Sequence, residues 1–195
     1  MATQRRRLRA ADLPEIPVED PLVSGYELVD GELVPVTAAY APHGRLVLEL
    51  GSILEGFARE RKLGAVFVDP WVRLRLVHDP ELVRAPDIVF LSAEKLRASG
   101  GVPRGMIEVV PDLAVEIFSP TNERKRRDFD RRIRDYLDAS IPVIWVIYES
   151  SRYATVYHPD GSARLIREHE SLDGESVLPG FTLPLATLFE ALEVP

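Results

Sequence analysis

Two carboxylates stand inside stretches that otherwise ask to be buried. Glu116 interrupts Pro111-Asp112-Leu113-Ala114-Val115-Glu116-Ile117-Phe118-Ser119-Pro120, and Asp87 opens the apolar part of Ala85-Pro86-Asp87-Ile88-Val89-Phe90-Leu91. A short apolar run between turn signals reads as a buried strand. An ionised carboxylate in such a run is costly unless it is paired, hydrogen-bonded or bound to a metal. If the two strands are neighbours, Asp87 and Glu116 make a pair of hard oxygen ligands of the kind that Mg2+ or Mn2+ prefers. Such an ion polarises a phosphate and activates water. The most basic stretch of the chain, Arg124 to Arg134, follows directly. An acidic pair followed by a cationic helix suggests a metal-assisted site for a polyanion. A plainer assignment fits the same pattern: Asp87 as a turn residue after Pro86, Glu116 as a half-exposed residue on one sheet face, and the basic run as a solvated helix face with internal Arg–Asp pairs.

The elements that must position these groups can be read in order. Residues 1–21 mix Arg, Asp, Glu and three prolines and read as a loose N-terminal arm, with a single domain over 22–195. Asp30-Gly31 between two short apolar strings signals a tight hairpin. His43 to about Lys62 is expected to be an amphipathic helix, with Leu46, Leu50, Ile53, Leu54 and Phe57 at helical spacing and Gly64 at its stop. Short strands are expected at 66–68 and at 71–77, then 87–91, an irregular loop rich in glycine, and 113–118. Residues 122–139 read as a helix capped by Thr121 or Asn122, closed before Pro142. On it Lys125, Arg132 and Tyr136 share one face, while Phe129, Ile133 and Leu137 form an apolar stripe. A buried strand at 141–147 follows. A meander is expected at 153–158, 163–167 and 176–178, with turns at Asp160-Gly161 and Asp173-Gly174, before a short helix at 185–192. The helix at 122–139 is long enough to cross over between parallel strands. The result is an α/β or α+β fold with a mixed sheet.

Bulk composition narrows the partners. The chain has 195 residues, 46% of them hydrophobic, which is enough for one sizeable core. A net charge of −7 excludes a globally basic nucleic-acid coat, so polyanion binding must be local. Cysteine is absent, which removes disulfides, thiol nucleophiles and Cys-ligated zinc and suits a reducing cytoplasm. No apolar run is long enough to span a bilayer. Arg5, Arg6 and Arg7 are not followed by the apolar segment of a signal peptide. His43, just before a helix, and Glu27, in the hairpin, have ordinary cap and surface readings. Tyr148, Tyr153 and Tyr157 read as cross-strand packing.

At these residues the chain resembles the Uma-type restriction-endonuclease family of the PD-(D/E)XK nuclease superfamily. The resemblance runs from Tyr26 to Phe189 through Tyr26-Glu27-Leu28-Val29-Asp30-Gly31-Glu32-Leu33, His43-Gly44, Arg84-Ala85-Pro86-Asp87, Pro111 to Pro120, Tyr136, Pro142 to Ile147 and Leu178-Pro179-Gly180-Phe181. It implies a restriction-endonuclease-like core, a sheet flanked by helices around a divalent-metal nuclease site. Asp87 and Glu116 would be the metal ligands, with the carbonyl of Ile117 as a third and Mg2+ or Mn2+ as cofactor. The superfamily's usual lysine falls on Phe118, which cannot act. The family's alternative, a lysine four residues before a tyrosine on the next helix, falls on Arg132. Arginine keeps the charge but is never a neutral base. Lys125, two turns earlier on the same face, is a candidate substitute, and Glu27 and His43 would contribute near the site. Tyr148-Glu149 stands where relatives tend to carry Asp-Pro. The expected partner is nucleic acid, DNA in the first place, and the symmetry of a duplex suits a homodimer. Two rivals remain: a degenerate relative that binds nucleic acid or a protein without cleaving, and a structural module with a buried carboxylate network.

Overall fold

The computed structural model describes residues 7–19, 23–37, 40–119 and 126–193. A 3-10 turn at Ala10–Glu15 precedes β1 (Val23–Val29), β2 (Glu32–Thr37) and α1 (Ala41–Arg61). Then come β3 (Gly64–Val68), β4 (Val72–Arg73), β5 (Val83–Arg84), β6 (Ile88–Ser92), α2 (Ala93–Ala98) and β7 (Leu113–Phe118). The C-terminal part holds α3 (Arg126–Asp138), β8 (Val143–Tyr148), β9 (Tyr153–Tyr157), β10 (Ala163–Arg167), β11 (Ser171–Asp173), β12 (Thr182–Pro184) and α4 (Leu185–Glu190).

The strands that read as continuous apolar runs form the middle of the main sheet. Its order is β10-β9-β8-β7-β6-β3, and every residue of β7 and β8 is buried. β7 and β8 run parallel, joined through α3, as the crossover length requires; the other neighbours are antiparallel, so the sheet is mixed. α1 closes one face, where Leu46, Leu50 and Leu54 share a core with Phe90, Val115, Ile117, Trp145 and Phe189. α3 closes the other, where Phe129, Ile133 and Tyr136 share a core with Val89, Ala114, Phe118, Ile144 and Val146. A second sheet, β2-β1-β5-β4, stands beside the first. Its hairpin turns at Asp30 (φ 53°) and Gly31 (φ 76°), the two positive angles of a type I′ turn. Tyr148 lies opposite Tyr153, and the rings stack at 4.4 Å.

Several expectations are corrected. Within the expected loose arm, Ala10–Glu15 is a 3-10 turn, because Ala10 and Leu13 bury against Leu28 and Val83. The strand expected over 71–77 is cut to Val72–Arg73: Arg75 takes a left-handed conformation (φ 52°), although Leu74 and Leu76 stay buried. The loop after β6 contains α2, whose cap is Ser92 accepting from the Lys95 N–H at 3.4 Å. The Asp160-Gly161 turn does join β9 to β10, but 176–178 is not a strand. Instead β11 pairs with β12, and a Cβ on Gly174 would lie 2.4 Å from the Leu178 carbonyl, so only glycine fits that fold-back. Thr121, Asn122 and Lys125 lie outside the described residues. No helix among the described residues is long and apolar enough to cross a membrane.

Candidate active site

Sheet register decides where the two carboxylates point. β6 pairs with β7 at Val89↔Ala114 and Ile88↔Val115, so the next position sets Asp87 across from Glu116. Side chains two apart share a face, so Glu116 follows Ala114 onto the α3 side, while Asp87, just before β6, reaches His43 at the start of α1. Both residues line one cleft of about 930 Å3, together with Glu27, His43, Ile117 and Arg132. The sequence-derived site residues thus converge, except Lys125, which the described residues do not include.

Each carboxylate is held by its neighbours. Asp87 Oδ2 accepts the Ile117 backbone N–H at 2.6 Å, and Asp87 Oδ1 lies 3.2 Å from His43 Nε2. His43 comes from the first turn of α1, which begins at Ala41-Pro42, so proline pre-sets the helix start that delivers the imidazole. Glu116 accepts from the Tyr136 hydroxyl at 2.6 Å on Oε1, and from Arg132 at 3.2 Å on Oε1 and 3.0 Å on Oε2. Arg132 also donates to Glu27 Oε2 at 3.2 Å. Tyr136 and Arg132 are four apart on α3, so one helical face delivers both groups to the same carboxylate.

Behind this layer lies a network that the sequence reading did not find. Arg84 donates to Glu27 at 2.9 Å and to Asp135 at 2.9 Å through Nε, and Glu27 also accepts the Ala85 N–H at 2.9 Å. Side-chain exposure is 4% at Arg84, 1% at Glu27 and 6% at Asp135. The signal was present in the sequence: Arg84 follows Leu82-Val83, and Glu27 precedes Leu28-Val29, charged residues inside apolar strings. Glu27 is therefore no ordinary hairpin surface residue but a buried anchor for two guanidiniums. Glu149 was likewise overlooked as a buried group. It is 8% exposed, and its Oε2 has no hydrogen-bond partner among the described residues. Asp69 also lines the cleft, and its N–H donates to the Asp87 carbonyl at 3.0 Å.

The electrostatics are those of an acidic cleft short of positive charge. Burial pushes the Glu116 carboxyl up to about 7; Arg132 pulls it down, and Asp87 pushes it further up. Burial and the Asp87 charge raise Asp69, and burial raises Glu149. Burial lowers the proton affinity of His43, but its hydrogen bond to Asp87 and the charges of Asp87, Glu116 and Glu149 outweigh that, so its pKa lies above the ordinary value. Arg132 is likewise desolvated, yet Glu116 and Glu27 hold it firmly charged.

The donor set suits a hard divalent ion in kind. An ionised carboxylate offers about four lone-pair directions, so Asp87 keeps one on each oxygen and Glu116 keeps one on Oε2. The Ile117 backbone lies at the same carboxylate through its N–H. Among the described residues no group of three or more His, Asp or Glu side chains converges to hold a metal ion. Asp87 and Glu116 are thus a pair of hard oxygen donors, fewer than a protein-only cage, of the kind Mg2+ accepts alongside water.

Comparison with known proteins agrees with this architecture. The model of the family described as Uma2, putative restriction endonuclease, matches residues 12–186. Among solved structures the chain resembles the crystal structure of a putative nuclease belonging to DUF820 from Anabaena variabilis ATCC 29413. The TM-score is 0.79 at 16% identity, covering 95% of this chain and 99% of that one. At that identity the likeness is one of fold. No protein of curated function matches the chain.

Proposed function

The chain belongs to the Uma2 family, and on that premise we propose that it is a divalent-metal-dependent nuclease that hydrolyses phosphodiester bonds of nucleic acid, DNA in the first place. The observation that carries this reading is the register of β6 on β7, which faces Asp87 and Glu116 into one cleft. Asp87, Glu116 and the Ile117 carbonyl would hold Mg2+ or Mn2+. When bound, such an ion polarises a phosphoryl oxygen and lowers the pKa of water. His43 and the Ile117 N–H fix the orientation of Asp87. Tyr136 and Arg132 fix the orientation of Glu116; burial raises its pKa to about 7, and the Arg132 charge opposes that rise. Arg132 is 19% exposed and lines the cleft. Its fixed positive charge beside the carboxylates can steady negative charge that develops on a phosphate. It cannot abstract a proton.

A second reading, a relative that binds without cleaving, is favoured by one contact. Arg132 reaches both oxygens of Glu116, so a side-chain cation already occupies part of the charge that a metal would answer. Cleavage of plasmid, single-stranded DNA and RNA with Mg2+ or Mn2+ separates the two. A nuclease cuts at least one, and Asp87→Asn and Glu116→Gln abolish the cut. Activity that survives Asp87→Asn rejects the assignment of the site.

A further inference from the structure

The cleft does not end at the carboxylates. Away from them its lining, drawn from α1, β2 and β3, includes an apolar arm of Val36, Gly44, Val47, Leu48, Gly51 and Val68, bordered on α1 by Ser52 and Glu55. Residues 44, 47, 48 and 51 follow helical spacing, so one face of α1 forms a wall. Leu48 is 59% exposed and Val68 51%, large apolar side chains left in water inside a concave site. The wall is low where the glycines stand: a Cβ on Gly44 would meet nothing within 4 Å, and one on Gly51 would touch only Val68 and Ile88, at 3.5 and 3.9 Å. The charged lining of the cleft comprises Glu27, Glu55, Asp69, Asp87, Glu116 and Asp128 against Arg84 and Arg132, apart from His43. Both guanidiniums are engaged by carboxylates. Among the described residues neither guanidinium of the cleft is free to follow a phosphate backbone, which leaves the apolar part of the lining to contact what is attached to the scissile phosphate.

From this we propose that the arm seats a nucleobase, and that the substrate is a single-stranded segment or an extruded nucleotide rather than a continuous duplex. The inference rests on the nuclease reading for its occupant. In a nucleic acid held by a phosphodiester at Asp87 and Glu116, the flat-faced base is the apolar part attached within a few bonds. A base stacked in a duplex cannot enter a side arm unless it leaves the stack. The cleft volume, about 930 Å3, lies at the upper end of the roughly 300–1,000 Å3 typical of small-molecule sites, which suits a few nucleotide units and not a helix.

The test uses the full chain with Ca2+ in place of Mg2+, a fluorescein-labelled oligothymidylate as single strand, and a blunt hairpin duplex of matching length. Wild type is expected to bind the single strand at least about tenfold more tightly. Gly44→Leu, which fills the arm from an open position, and Leu48→Asp, which charges an exposed wall, are each expected to lose about tenfold for the single strand, the change that about 1.4 kcal/mol of contact gives. Circular dichroism checks that both variants fold, and Mn2+ calorimetry is expected to be unchanged in them. Equal or tighter binding of the duplex, or wild-type affinity in both folded variants, overturns the base seat. If wild type cuts nucleic acid with Mg2+ and both variants cut duplex and single strand as wild type does, the base seat falls while the nuclease reading stands. If nothing is cut but single-strand binding depends on Gly44 and Leu48, the nuclease reading falls and the base seat stands.

Discussion

Arg132 shows how one residue can serve charge balance and chemistry together. Its guanidinium joins Glu116 to Glu27, two buried carboxylates whose other partners are the Tyr136 hydroxyl for the first and Arg84 with the Ala85 N–H for the second. Removing one partner of a buried ion pair leaves the other charge uncompensated, typically at about 3–5 kcal/mol. Arg132→Ala is therefore expected to lower stability in urea unfolding by about that much. The double variant Arg132→Ala with Glu116→Gln is expected to recover part of the loss, because less unpaired charge remains. Strict additivity of the two changes would show that the contact carries no coupling. In a working enzyme Arg132→Lys is expected to keep cleavage, and Arg132→Ala to slow it by roughly the 10²–10³ that loss of one preorganised donor brings. At this scale much of the site was legible. Asp87 and Glu116 were conspicuous because carboxylates rarely stand in buried strands, and Arg132 followed from the resemblance through its spacing to Tyr136. Glu27 was named without its reason, and Arg84 and Asp135 were not found. A buried charge is visible in one stretch of sequence, but its partner lies 57 residues from Glu27 in one case and 51 from Arg84 in the other.

Among the elements, the Arg84 network ties the β1–β2 hairpin to α3. Glu27 comes from β1, Arg84 from β5 and Asp135 from α3, so three segments distant in sequence meet in one set of charge-assisted hydrogen bonds. The hairpin also lines the cleft through Val36 and Glu27. Arg84→Met keeps much of the stem's packing but takes the guanidinium from Asp135 and leaves Glu27 with only Arg132 and the Ala85 N–H. It is expected to destabilise by about 3–5 kcal/mol and to speed amide exchange in 23–37 more than in β7 or β8. Uniform acceleration across the sheet would show that Arg84 supports the whole fold and not the hairpin's docking. Local signals explain which elements were readable. Asp30-Gly31 dictates a type I′ turn whatever surrounds it, and the crossover through α3 dictates parallel β7 and β8. α2 was missed because only six residues form it and none is buried, so no apolar stripe marks it. The strand expected to 77 fails at Arg75, whose positive φ no alternation pattern announces. β11 and β12 pair across a fold-back that depends on a contact between Gly174 and Leu178, which local reading cannot see.

For the molecule as a whole, a metal ion bound in the proposed site would link the acidic cleft to stability. The chain carries −7 overall, and its cleft gathers uncompensated carboxylates, with burial holding Glu116 up at about 7. Any ion that binds the folded state and not the unfolded chain stabilises it by RT ln(1 + [L]/Kd), about 2.7 kcal/mol at a hundredfold excess over Kd. For a domain of this size each kcal/mol moves Tm by roughly 2–4 °C. Saturating Mn2+ is therefore expected to raise Tm by roughly 5–11 °C, and EDTA to reverse the rise. The sign follows from relief of repulsion between fixed carboxylates, so it does not require catalysis and holds even if the protein only binds nucleic acid. Asp87→Asn and Glu116→Gln each remove one proposed ligand and part of that repulsion. Both are expected to flatten the response to Mn2+, while Asp87→Asn keeps the Ile117 N–H contact and the resting fold. A site in which Arg132 alone answers Glu116 gives the opposite result: no Mn2+-dependent shift in wild type. A shift of equal size in wild type and both variants would place the ion elsewhere on the acidic surface.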